Sequence, residues 1–167
     1  MTEREYTVEE FVRRYGGIYE HSPWVAEEVF GSDIDPDDTE LLATLFAECV
    51  DNASHDRRLT LIRAHPDLAG RAAIAGELTL ASTDEQSSAG IDQCSPEEFA
   101  RFEEMNDRYK ETFKFPFVMA VRGSNRKAIL AAFEERLANS PLEEFERAIS
   151  EIHKIARLRL KTMQNHE

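Results

Sequence analysis

The sequence predicts an all-α protein: a single compact domain, residues 1–167, of about eight or nine helices with one short extended segment. Three observations carry this expectation. Four of the six prolines follow a serine or an aspartate, which supplies a capping oxygen and then a φ-locked first helical residue. After each such start, apolar residues recur at spacings of three and four, gathering on one helical face. Apolar residues make up 41% of the 167, enough for a core, and no internal repeat, linker or low-complexity tract interrupts them.

Taken in order, Thr7 and Glu10 have the spacing of a capping box, and Val8, Phe11, Val12 and Tyr15 form the stripe of the helix behind it. Ser22-Pro23 and Asp35-Pro36 start two more. Leu41, Leu42, Leu45, Phe46, Cys49 and Val50 give the next buried face. A helix containing Leu59 and Ile62 must end near His65, because a residue before proline is biased out of the helical region. Asp67 then reads as the N-cap of a short helix over residues 68–75. Ser82 and Glu85 fit a further capping box, as N-cap and third residue of a helix that stops at Gly90. Ser95-Pro96, boxed with Glu98, opens a helix faced by Phe99, Phe102, Met105, Tyr109 and Phe113. Residues 115–121 break the helical pattern, since Pro116 favours an extended predecessor and Val118 and Val121 are β-branched. Ile129, Phe133 and Leu137 resume it. Ser140-Pro141, boxed with Glu143, starts the longest helix, with Phe145, Ala148, Ile149, Ile152, Ile155, Ala156, Leu160 and Met163 facing inward.

Composition narrows the function. Thirty-three acidic against twenty basic residues leave a formal charge of -13, which repels phosphate backbones and anionic lipid. Neither nucleic acid nor a membrane surface is an expected partner. No apolar run approaches the roughly 20 residues that span a bilayer. The acidic opening MTEREYTVEEF lacks the basic start of a secretory signal, so a cytoplasmic protein is expected. Cys49 and Cys94 fit idle thiols in a reducing compartment better than a disulfide framework.

Few residues stand out as chemical. His65, at a helix C-terminus, meets the negative end of the macrodipole, which favours the imidazolium and a general-acid role; the same placement suits a histidine that only caps carbonyls. A metal set of His65, Asp67 and Glu85 lacks the paired histidines or cysteine cluster of a strong ligand motif. Glu85 in a capping box needs no further duty, although a helix N-terminus also suits an anionic or carbonyl-rich ligand. Arg159 lies in an apolar stripe, seven after Ile152 and four after Ile155. A buried guanidinium needs an anion, supplied either by a structural carboxylate or by a substrate bound bidentately. Asn106 interrupts its own stripe and reads as a structural hydrogen bond to a neighbouring loop. Phe113, Phe115 and Phe117 read as core, yet an extended segment with no sheet to join has main-chain groups that a heterocyclic ligand could use.

The blocks IYEHSPWVAE (residues 18–27), HPDLAG (65–70), DEQSSAG (84–90), N..Y...F.FPFV.AVRG (106–123) and EI..I.RLRL (151–160) together resemble the 2-oxo-4-hydroxy-4-carboxy-5-ureidoimidazoline (OHCU) decarboxylases. Five blocks in order cover nearly the whole chain. The resemblance implies an all-helical, often dimeric lyase of urate degradation that needs no cofactor or metal and turns OHCU, a small molecule, into (S)-allantoin and carbon dioxide. It implies His65 as catalytic acid or base, with Glu85 beside it. It also implies contacts to substrate from Pro66, Ser82, Glu85, Gln86 and Arg159, and from the segment Phe117, Val118, Met119, Ala120 and Val121. Two alternatives remain at this stage: a non-catalytic helical module that binds a small ligand or partner helix, and a metal-dependent hydrolase.

Overall fold

The computed structural model describes residues 7–30, 38–68 and 78–165. Eight α-helices occur among them: α1 Val8–Tyr15, α2 Trp24–Val29, α3 Thr39–Asp51, α4 His55–Arg63, α5 Leu80–Ser88, α6 Pro96–Phe113, α7 Arg126–Leu137 and α8 Pro141–Asn165. A single 3-10 turn, Ile91–Gln93, follows α5, and the described residues contain no strand. Residues 115–121 interrupt the helices as expected and join no sheet: Phe115 stands in a bend and residues 116–121 are neither helix nor strand.

Local signals set most of the ends. The boxes at Thr7 with Glu10 and at Ser95 with Glu98 are both closed in both directions. Ser140 caps α8 by accepting from the Glu143 amide at 3.2 Å. Two starts are shifted. Ser22 does not cap α2; Pro23 stands at the cap without a side-chain bond, and the Ser22 hydroxyl donates instead to the Glu20 carbonyl at 2.9 Å. Turning the hydroxyl toward that carbonyl orients the side chain locally, in competition with capping geometry. α3 takes Asp38 as its cap, while the expected start at Asp35-Pro36 lies outside the described residues.

The chain divides into two units, Met1–Ala64 with His153–Glu167, and His65–Ile152. In the first, α2 packs on α1 and α3. Its core holds Phe11, Tyr15, Tyr19, Phe46, Leu61 and Ile62, with Ile155, Ala156 and Leu160 from the last turns of α8. The rings meet edge to face, Phe11 and Tyr19 each about Phe46 at 6.4 and 6.3 Å. Val8 and Leu41, expected in the stripes of α1 and α3, are exposed, because each stands in the first turn of its helix, at the margin of the packed face. His153 joins this core to its rim: one ring nitrogen meets the Tyr19 hydroxyl and the other the Asp51 carboxylate, both at 2.9 Å.

In the second unit α6 packs on α7, and Phe102, Met105, Tyr109, Phe117, Ile129 and Phe133 are buried between or beside them. Phe117 stacks on Phe133 at 3.8 Å and stands perpendicular to Tyr109 at 5.2 Å. α6 ends with Lys114 in the left-handed region, φ 66°, which turns the chain from helix into residues 115–121. Leu137, expected inward on α7, is only half-buried, and its neighbour Arg136 occupies the buried position instead.

Candidate active site

α4 stops at Arg63 and Ala64 caps it, so His65 stands just past a helix end, held off the helical path by Pro66. Its side chain is buried. The residues after it are gripped from two helices. The Asp67 carbonyl accepts from Gln86 Nε2 at 3.3 Å, and the Leu68 carbonyl accepts from Asn106 Nδ2 at 2.8 Å. The Asp67 carboxylate pairs with Lys110 at 2.6 Å. Asn106 and Lys110 are one turn apart on α6 and so reach the same joint. Asn106 therefore makes the loop contact its interrupted stripe predicts, and its Oδ1 is buried without a hydrogen-bond partner. Beyond Leu68, the short helix expected over residues 68–75 lies outside the described residues. Among the described residues no three side chains of His, Cys, Asp or Glu gather as a metal site.

α5 corrects the expected capping box. Thr79, not Ser82, is the N-cap, and its hydroxyl accepts from the Ser82 amide at 3.2 Å. Thr79 can serve the same amide geometry three residues earlier, so the helix begins at Leu80 and Glu85 falls more than a turn inside it, too far to close a box. The consequence is positional: Ser82, Glu85 and Gln86, with Ala89, share the face set by steps of three, four and seven, and all four are buried. Gln86 carries that polar face to the Asp67 carbonyl. The helix closes at Gly90, whose φ of +76° suits glycine, and the Gly90 carbonyl accepts from Arg126 at 2.8 Å.

The segment over residues 115–121 has one anchor that composition did not announce. Arg136 Nη1 donates to the Val118 carbonyl at 2.6 Å, and the guanidinium carbon lies 4.3 Å from the Phe117 ring centre. Glu144 balances its charge, accepting from Arg136 Nε and Nη2 at 2.9 Å, from Asn139 at 2.9 Å and from the Tyr109 hydroxyl. Arg136 and Glu144 are 2% and 0% exposed, so this is a charge pair withdrawn from water. Burial, then the bond to Glu144, pushes the Tyr109 phenol well above its ordinary pKa, keeping it a neutral donor. One lone pair of the Val118 carbonyl is therefore taken up inside the protein. Met119 and Ala120 are half-buried, and their main-chain groups meet no protein partner among the described residues. Phe117 and Val121 are buried, and the Val121 carbonyl accepts from Ser124.

Arg159, in the first unit, has the carboxylate its burial demands. Nη2 donates to Glu20 Oε2 at 2.7 Å and Nη1 to the Gly17 carbonyl at 3.2 Å. Arg157 points elsewhere, exposed and paired with Glu40.

Sequence reasoning missed Arg136, Glu144 and Glu20. A signal for the first two existed: Arg136 lies three after Phe133 and seven after Ile129, and Glu144 lies four before Ala148, so both break an apolar stripe just as Arg159 does. Glu20 sits in a loop, where no period marks it.

A histidine at a proline-locked joint, fastened to a buried polar helix face in an all-helical frame, is the layout of a small helical enzyme acting on a small molecule. The comparisons agree. The profile of the OHCU decarboxylases matches residues 4–161, and the chain belongs to that family. A 2-oxo-4-hydroxy-4-carboxy-5-ureidoimidazoline decarboxylase of Haloferax volcanii is 45% identical over 150 residues, 90% of this chain and 86% of that one. One from Amia calva is 39% identical, covering 92% and 87%. Among solved structures, (S)-allantoin synthase superposes with a TM-score of 0.73 at 31% identity; it covers 94% of this chain, which spans half of that one. OHCU decarboxylase crystallised in the presence of (S)-allantoin superposes at 0.70 over 85% of this chain and 91% of that one; at 24% identity this is a likeness of fold. No described helix is long and apolar enough to cross a membrane.

Proposed function

We propose that this chain decarboxylates OHCU to (S)-allantoin and carbon dioxide, acting as one domain over residues 1–167. Within a chain of this family, the observation that carries the reading is the bond from Gln86 to the Asp67 carbonyl. It fastens the Ser82, Glu85 and Gln86 face to the joint that bears His65.

The substrate brings its own electron sink. When the bond to the carboxylate breaks, carbon dioxide leaves and the electron pair enters the ring through the neighbouring imine-type carbon; the ring nitrogen and the carbon bearing the ureido group each gain a proton while the hydroxyl loses one to become a carbonyl, a net uptake of one proton. On this reading no resident metal or cofactor is needed, and the protein's work is orientation, charge stabilisation and proton transfer. His65 moves the proton at the hydroxyl or the reacting carbon, with Pro66 as wall. Glu85 and Gln86 accept from and donate to the ureido and ring groups, with Ser82 alongside. The main chain of Phe117, Val118, Met119, Ala120 and Val121 lines the substrate, its usable polar groups concentrated at Met119 and Ala120. Arg159 engages an anionic or carbonyl oxygen. The same reading makes the enzyme cytoplasmic and homodimeric, the latter checked by light scattering.

The substrate decays unaided to racemic allantoin, so the test is optical. OHCU is generated in place from urate, and optical activity is followed with and without protein. The unaltered protein produces an excess of the S form. H65N abolishes that excess while the helical circular dichroism persists; near-normal turnover by H65N removes His65 from the mechanism. Activity that disappears with a chelator favours the metal-dependent alternative.

A further inference from the structure

We infer that Arg136 is a positioning residue for substrate binding: by holding the Val118 carbonyl inward, it aims the Met119 amide N–H at the bound ligand. The inference rests on the decarboxylase reading and adds to it a residue that no spacing argument identified.

The bond between Val118 and Met119 is trans, as all the described peptide bonds are. In a planar trans peptide the carbonyl of one residue and the N–H of the next point in opposite directions. Arg136 takes the Val118 carbonyl at 2.6 Å from a site that is 2% exposed. The Met119 N–H must then point away from that buried guanidinium. Met119 is half-buried, and no described protein group accepts from its N–H. A main-chain donor left unmet at the edge of a core is costly unless water or a ligand meets it. A carbonyl or carboxylate oxygen of a ureido-substituted ring is an acceptor of the right kind.

Among the described residues no other hydrogen bond holds this peptide plane. The segment belongs to no sheet, so no ladder holds its peptide planes. Phe117 is fixed by stacking on Phe133, but ring stacking leaves the following peptide free to rotate. Arg136 is in turn held by both Glu144 oxygens, and Glu144 by Tyr109 and Asn139. A planar guanidinium can meet a carboxylate and a carbonyl at once through separate edges, which an ammonium cannot do with the same geometry.

The test uses two variants and two readouts. R136M/E144L replaces the buried pair by apolar groups of similar size, a change that buried pairs often tolerate without loss of stability. R136K keeps a charge opposite Glu144 but not the forked donor, and serves if the double variant does not fold. In either folded variant the KM for OHCU rises about tenfold, the loss expected for one misdirected hydrogen bond, while kcat and the pH profile change little. In parallel, adding (S)-allantoin shifts the Met119 amide NMR resonance of the unaltered protein and not that of the variant. An unchanged KM in a folded variant, or a Met119 amide that ignores (S)-allantoin in the unaltered protein, overturns the inference. Unaltered protein that yields no optical excess, yet whose Met119 amide responds to (S)-allantoin, overturns the decarboxylase reading and leaves the positioning role of Arg136 standing.

Discussion

Replacing Glu20 by alanine would take a buried carboxylate partner away from Arg159. Arg159 is 7% exposed as a side chain and Glu20 1%, and the 2.7 Å contact between them is the ion pair that makes the guanidinium tolerable there. The Gly17 carbonyl would remain as a partner, but a neutral oxygen cannot replace the charge. Breaking a buried pair from one side costs about 3–5 kcal/mol. Unfolding entropy of about 2.1 cal/mol/K per residue, over 167 residues, gives ~0.35 kcal/mol/K, so the melting temperature should fall by ~9–14 °C. The E20L/R159M double variant, which removes both charges and refills the volume, should recover most of that loss. Thermal melts followed by circular dichroism on E20L, R159M and the double variant complete the cycle, with a coupling of about 2–3 kcal/mol expected for residues in direct contact. Single losses that simply add would show that Glu20 does not balance Arg159, and the account of that guanidinium would fail.

Two further outcomes follow from local geometry. T79A should lose the capping bond of α5 and cost about 1 kcal/mol, ~3 °C in melting temperature, whereas S82A should carry no capping cost; the reverse order in thermal melts would restore Ser82 as the cap. Cys49 should react slowly. Burial first, and then its hydrogen bond to Glu28, push the thiol from 9.0 up to about 11, so at pH 8 it holds about a hundredfold less thiolate than an unshifted thiol. Iodoacetamide labelling followed by mass spectrometry should show that lag and a faster rate in E28Q; labelling of Cys49 at the rate of a free thiol would contradict the shift.

The helical class, the order of the helices and the break in helix at residues 115–121 were legible in the residues because each rests on interactions within a few positions. A capping serine, a proline at the first helical position and a three-and-four stripe all act locally, and the boxes at Thr7 and Ser95 closed as read. Where two capping residues compete nearby, local reading picks the wrong one, as at Ser82 against Thr79. His65 and Arg159 were also visible, one through its proline and the other through its intrusion into an apolar face. What the sequence alone left open was which carboxylate answers which cation. Glu20 meets Arg159 from 139 positions away, and Tyr109 reaches Glu144 from 35 away. Neither separation leaves a periodic trace. Glu144 in a first helical turn reads as an ordinary dipole-complementing acid. Only the packed chain withdraws it from water, and once it is withdrawn its charge must be matched by whichever donors the fold has brought beside it.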